Sequence, residues 1–218
     1  MAGIADLTLD ELRLKLAPRV AAAAIFDGWT DAALDSAAAE AGVDPAVARL
    51  AFPGGAMDMV AAWVASIDAA MTRAFAPEVI AAMPIRERIR ALVWFRLEAV
   101  GGLEEALRRA LAIQAMPQNV VRSARLGWAS ADAMWRLAGD TATDYNHYTK
   151  RAILASIYAA TLAVFVNDES DGKAETRAFL DRRIEGVMKF EKAKAQLLGQ
   201  REHFDVMRFL GRLRYPAR

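Results

Sequence analysis

The sequence predicts an all-α fold of about ten helices, and three observations carry that prediction. Apolar residues recur at helical spacing along nearly the whole chain, with no sustained two-residue alternation that would mark strands. The composition is alanine-rich, 55% hydrophobic and 25% charged, inside the globular range and far from that of disordered chains. Gly and Pro fall between the periodic segments, where helices stop and start. A length of 218 residues suffices for one helical domain of ordinary size, or for two small ones sharing a core.

The first helix fits Leu9 to Phe26 and stops at Gly28, and the second fits Asp31 to Ala41 and stops at Gly42. Asp44-Pro45 opens a short third helix, with a capping oxygen and a proline at the first helical position; Pro53-Gly54-Gly55 closes it. A fourth runs from about Ala56 to Phe75. Beyond Pro84, the spacing of Ile85, Ile89, Leu92, Val93 and Leu97 makes an amphipathic helix broken at Gly101-Gly102, and another covers Leu103 to Met116. Ser130 is the expected cap of a helix that runs through Leu137 and ends at Gly139. Thr143 or Asp144 starts a long apolar helix to Val166, whose run from Ala152 is shorter than the ~20 residues of a bilayer crossing and reads as core. A polar turn at 167–172 leads to a helix from Lys173 to about Leu197, and a last one covers roughly Leu198 to Arg214.

Composition excludes several chemistries. The absence of cysteine removes disulfides, thiol catalysis, iron–sulfur clusters and thiolate zinc sites, and the two histidines, His147 and His203, lie far apart. Glu104-Glu105 and Asp168-Glu169 are sequence neighbours, which do not face each other on a helix, and no Gly-rich phosphate loop or GxSxG elbow occurs. A non-enzymatic protein without metal or cofactor is expected. The first fifteen residues carry Asp6, Asp10 and Glu11 and look like neither a secretory signal nor an Arg-rich presequence, which suggests a bacterial cytoplasm.

The net charge of +1 is unevenly spread. Residues 1–75 hold ten acidic and five basic side chains, whereas 186–218 hold eight basic and three acidic ones. An anionic partner would be met by the tail. Within the acidic front, Ala23-Ala24-Ile25-Phe26-Asp27-Gly28-Trp29-Thr30, Ala39-Glu40-Ala41-Gly42-Val43-Asp44 and Phe52-Pro53 have a helix-turn-helix layout. These residues resemble the N-terminal domain of the TetR regulator family over about 60 positions. The segment Pro45 to Ala51 would be its reading helix, yet it offers only Arg49 to phosphate and otherwise shows Ala46, Val47, Ala48 and Leu50. The motif therefore reads as a packing unit, and DNA is not an expected partner.

A denser motif lies in the middle: Met134-Trp135, Ala138-Gly139-Asp140, Thr143-Asp144-Tyr145-Asn146-His147-Tyr148-Thr149-Lys150-Arg151, then Leu154-Ala155-Ser156-Ile157-Tyr158 and Phe179-Leu180-Asp181-Arg182-Arg183-Ile184. Aromatics, carboxylates, an amide and cations crowd a helix junction where a bland turn would serve. This stretch closely resembles the ubiquinone-biosynthesis accessory family, lipid-binding partners of the demethoxyubiquinone hydroxylase with a TetR-like fold, and with the front end the resemblance spans about residues 10–195. It implies a homodimer that binds an isoprenoid quinone intermediate and presents it to the di-iron hydroxylase at the inner membrane. By position, the hydroxylase-facing surface would use Thr143, Asp144, Asn146, His147, Tyr148 and Arg151, with Asp140 nearby; many relatives carry tryptophan where His147 stands. Candidates for the lipid cavity are the bulky residues of the middle helices: Trp94, Phe95, Trp128, Met134, Ile157, Leu162 and Phe165.

In the tail, 100° per residue brings Arg201, Arg208 and Arg212 into one narrow arc, while Phe204, Met207, Leu210 and Leu213 fill much of the remaining circumference. That pattern suits an amphipathic helix lying on an anionic membrane surface. The expected organisation is a vestigial helix-turn-helix domain at 1–55, a lipid-binding body at 56–197 and the membrane-surface helix at 198–218. The alternative from another class is a TetR-type transcription regulator sensing an apolar ligand.

Overall fold

The computed structural model describes residues 7–141 and 145–201. Among the described residues ten α-helices carry the fold: α1 Leu9–Asp27, α2 Asp31–Ala41, α3 Pro45–Ala51, α4 Ala56–Ala74, α5 Pro77–Ala81, α6 Ile85–Glu98, α7 Glu104–Ala115, α8 Val120–Leu137, α9 Tyr145–Phe165 and α10 Ala174–Arg201. No strand occurs among the described residues, so the all-α expectation holds. The capping chemistry is largely the one the sequence advertises. Asp44 accepts from the Ala46 N–H at 2.7 Å with Pro45 at the first helical position. Thr8 and Glu11 form a reciprocal capping box at the start of α1. Gly42 ends α2 in the left-handed region, at φ 69° and ψ 32°, which an L side chain adopts only at a cost.

Three boundaries differ from expectation. Ser130 caps nothing: α8 begins ten residues earlier, after a 3-10 turn at Pro117–Asn119, and Ser130 sits mid-helix, 1% exposed. Its hydroxyl accepts from Arg96 at 3.0 Å and donates to Asp68 at 3.1 Å, so a buried network uses it instead. Helix α5 was not expected, although Ala76-Pro77 is a legitimate start signal. The expected break after Leu197 does not occur, and α10 is continuous through Arg201; the single Gly199 costs the helix about 1 kcal/mol, too little to end it.

One continuous core runs from Leu12, Leu16 and Val20 of α1 through Trp63, Ile67 and Met71 of α4 and Leu92, Val93 and Leu97 of α6. It then passes Met134 of α8 and Leu154, Leu162 and Phe165 of α9 to Leu180 and Ile184 of α10. Helix α1 packs on α2, α3, α4 and α7, and α9 lies between α8 and α10. The Trp29 indole N–H donates to the Ala106 carbonyl at 2.9 Å and its ring meets Trp63 at 5.3 Å, which locks the front helices to α7 and α4. Arg96, 1% exposed, pairs with Asp68 of α4, reaches Ser130 of α8 and lies 4.8 Å from the Tyr158 ring of α9. A single guanidinium thus joins four helices. Among the described residues no single helix is long and apolar enough to cross a membrane.

Candidate functional site

The motif singled out in the sequence folds into the corner between α8 and α9. Helix α8 ends at Leu137; Gly139, at φ 87°, turns the chain in a conformation that favours glycine. The Asp140 N–H then donates back to the Trp135 carbonyl at 2.9 Å. The Arg88 guanidinium of α6 donates to the carbonyls of Ala138, Met83 and Ala81, at 2.7, 2.8 and 2.7 Å. One cation thus ties the α8–α9 turn, through Ala138, to the segment joining α5 and α6, through Ala81 and Met83.

Arg151, 2% exposed, organises the corner from α9. It donates to Asp132 of α8 at 2.6 Å, to Asp140 at 3.0 Å and to the His147 carbonyl at 3.1 Å. Lys150 adds a second cation on Asp140 at 2.7 Å, with its ammonium 5.3 Å from the Trp135 ring, while the Trp135 indole donates to the Lys150 carbonyl at 3.0 Å. Burial opposes the charge on Asp140, but the Lys150 and Arg151 donors outweigh it and hold its carboxyl below the usual carboxylate range. Desolvation likewise opposes the Arg151 charge, and Asp132 and Asp140 more than restore it. Asp132 and Asp140, with Arg151 buried between them and Lys150 and Arg136 at the more exposed edge, form a lattice that ties α9 to α8 and the turn.

Beside this lattice lies a cleft of about 420 Å³ between α6, the α8–α9 turn, α9 and α10. Its apolar wall is Ile85, Ile89, Ile153, Leu154, Ile157, Ile184, Val187 and Met188, and its polar rim is Arg86, Arg88, Asp140, Asn146, Thr149 and Lys150. An apolar interior with a few convergent polar groups suits a ligand with a small polar head and a hydrocarbon tail, and the volume falls in the range of small-molecule sites. Among the described residues no group of three or more His, Asp or Glu could hold a metal ion.

The expected partner-facing residues separate into four groups. Asp140 and Asn146 line the cleft. His147 and Tyr148 stand on the outer face of α9, with Tyr148 61% exposed; their rings lie 5.1 Å apart, edge to face. Arg151 corrects the expectation of a surface residue: it lies inside, because two carboxylates from the preceding helix and turn claim its guanidinium. Thr143 and Asp144, the proposed start of α9, lie outside the described residues.

Of the cavity candidates, Ile157 lines the cleft and the other six do not. Met134, Leu162 and Phe165 are core residues, and Phe95 packs edge to face on Phe75. Trp94 lies under the Arg177 guanidinium at 3.6 Å. Trp128 stands on α8 beside His147 and Tyr148. Residues that sequence reasoning did not assign include Arg88, Lys150, Trp135 and the α10 wall; the apolar spacing of Leu180, Ile184, Val187 and Met188 was the available signal for that wall. Of the membrane-surface residues, Phe204, Met207, Arg208, Leu210, Arg212 and Leu213 lie outside the described residues, and of Arg201 only the backbone, as the end of α10, is described.

Comparison with known proteins places this corner within a family match. Residues 120–191 match the family model described as COQ9. The chain is 33% identical to the mitochondrial ubiquinone biosynthesis protein COQ9 of Rattus norvegicus over 168 residues, covering 74% of this chain and 54% of that protein. It is 32% identical to the Homo sapiens protein of the same name, again over 74% of this chain and 52% of the relative. The chain spans about half the length of these relatives. Among solved structures, a TetR transcriptional regulator from Nitrosomonas europaea superposes with a TM-score of 0.63 at 20% identity, covering 80% of this chain and 96% of that one. The family resemblance read from the sequence is therefore to the COQ9 proteins of ubiquinone biosynthesis, carried on a TetR-like helical fold.

Proposed function

We propose that this protein is a non-enzymatic accessory factor of ubiquinone biosynthesis. In this reading it binds an isoprenoid quinone intermediate and, as a homodimer, presents it to the di-iron demethoxyubiquinone hydroxylase at the inner membrane surface. The observation that carries the reading is the apolar cleft with a polar rim, built against the segment that matches the COQ9 family. Ile153, Ile157, Ile184 and Val187 would contact hydrocarbon, and the rim at Arg86, Asn146 and Lys150 would meet the oxygens of the quinone head. His147 and Tyr148 would face the hydroxylase, Thr143 and Asp144, outside the described residues, are assigned to the same surface, and the basic, apolar tail from Arg201 onward would rest on anionic lipid.

The first experiment is mass spectrometry of an organic-solvent extract from protein purified without detergent. A stoichiometric isoprenoid or quinone is expected, with loss of that ligand in Ile157→Trp, whose larger side chain fills the cleft. An empty extract from folded wild-type protein would overturn the reading and move weight to the regulator alternative, which a salt-dependent DNA-binding assay tests. Tyr148→Ala is expected to abolish pull-down of the hydroxylase, and deletion of the residues after Leu198 to abolish flotation with anionic vesicles.

A further inference from the structure

We infer that Trp128 of α8 is the aromatic anchor of the partner-docking surface, which spans α8 and α9 rather than the α9 motif alone; this rests on the reading that Tyr148 faces the hydroxylase. The Trp128 ring lies 6.0 Å from the Tyr148 ring and 6.4 Å from that of His147, so one tryptophan extends the two α9 rings into a continuous ledge across the helix pair. The ledge is reachable: Tyr148 is 61% exposed, Trp128 half-buried, and Val121, two turns before Trp128 on the same stripe of α8, is 65% exposed. Trp29, Trp94 and Trp135 each donate their indole N–H to a carbonyl or carboxylate oxygen within the fold. Trp128 donates to none of the described residues, which leaves a donor on an amphipathic ring of the kind that dominates interface energetics.

The charge beside the ledge selects the occupant. Arg125, one turn before Trp128, is exposed and forms no ion pair among the described residues, whereas Arg122 pairs with Asp58 and Arg136 shares Asp132 with the buried Arg151. An apolar anchor flanked by an excess of positive charge fits a protein surface with an acidic rim around an apolar pocket.

The test is an affinity measurement between the full chain and the hydroxylase for wild type, Trp128→Ala, Trp128→Phe, Arg125→Glu, Tyr148→Ala and the double variant Trp128→Ala/His147→Trp, with thermal melting to monitor the fold. The expected result is at least a tenfold loss for Trp128→Ala at unchanged melting temperature, a small loss for Trp128→Phe, and recovery in the double variant, which returns a large ring to the same ledge. Arg125→Glu is expected to weaken binding several-fold and to flatten its salt dependence. Loss in Tyr148→Ala with full binding by Trp128→Ala would overturn the role of Trp128 and leave the docking reading standing. A wild-type protein that does not bind would overturn both. If Trp128→Ala binds the hydroxylase normally but no longer floats with anionic vesicles, the ledge is a lipid contact and the inference fails.

Discussion

Two helix corners of this molecule, α2–α3 and α8–α9, are built on opposite principles. The front corner closes by small apolar packing: Ala33, Ala37, Ala38, Ala48 and Ala51 are buried, Gly42 makes the turn, and Trp29 bolts the unit to α7. Its one cation on α3, Arg49, is spent on Asp35 at 2.5 Å, and what α3 shows to solvent includes Val47 and Leu50. The rear corner closes by charge: Arg151 and Lys150 hold Asp132 and Asp140 under an exposed ledge of rings. Alanine packing fixes that crossing and leaves α3 an outer face that includes Val47 and Leu50. A buried ionic lattice fixes a crossing and lets the outer face carry aromatics, because the side chains beneath are already immobilised. On a fold shared with a TetR transcriptional regulator, the densest cluster of charged and aromatic side chains in this chain lies at α8 and α9 rather than on the third helix.

The largest effect is expected for Arg151→Ala, which removes the buried cation between Asp132 and Asp140 and leaves each carboxylate only a more exposed one, Arg136 and Lys150. It should destabilise the protein by about 3–5 kcal/mol, read by chemical denaturation; a loss below about 1 kcal/mol would mean the lattice does not hold the corner. Next in size is Gly139→Ala, with an expected cost of about 1–2 kcal/mol for an L residue in left-handed backbone. A Cβ there would also stand 3.2 Å from the Arg88 guanidinium. Trp29→Phe at the front should cost about 1 kcal/mol, because it removes the buried indole hydrogen bond that ties Trp29 to the Ala106 carbonyl of α7.

The pH dependence sharpens the contrast further. Asp140 has a folded-state pKa below its unfolded value, so its contribution is fully present above the unfolded pKa near 4 and is lost as pH falls through the lower folded value. Asp140→Asn should therefore flatten the acid limb of stability below about pH 4, checked by denaturation midpoints across pH. The smallest effect is expected for Arg49→Ala, an exposed pair, which should leave the melting temperature unchanged within error.

Much of the fold was legible because its punctuation is local. Asp44-Pro45, Gly42, Gly28 and the Pro53-Gly54-Gly55 stop act through their own backbone and side chains, and α1 to α4 follow the reading to within a residue. Ser130 misled because a serine that caps and a serine that bonds a buried arginine look alike in sequence; the distinction lies in Arg96 and Asp68, 34 and 62 residues away. Arg151 misled for the same reason. A charged residue in a polar motif reads as surface, and only the fold brings Asp132 and Asp140 onto it. The cleft was legible in kind but not in membership: Ile157 was found, while the α10 wall required knowing that α10 returns against α6 and α9.

By itself the sequence determined the helices, their order, the acidic front and basic tail, and the motif whose family resemblance points to ubiquinone biosynthesis. These depend on spacing and composition, which the chain carries locally. The tertiary structure alone decided which cations are buried, which rings meet across helices, and which apolar residues face a cleft instead of the core. Those outcomes depend on long-range pairing, where one helix supplies the partner that another helix's side chain must find, and no local pattern encodes that choice.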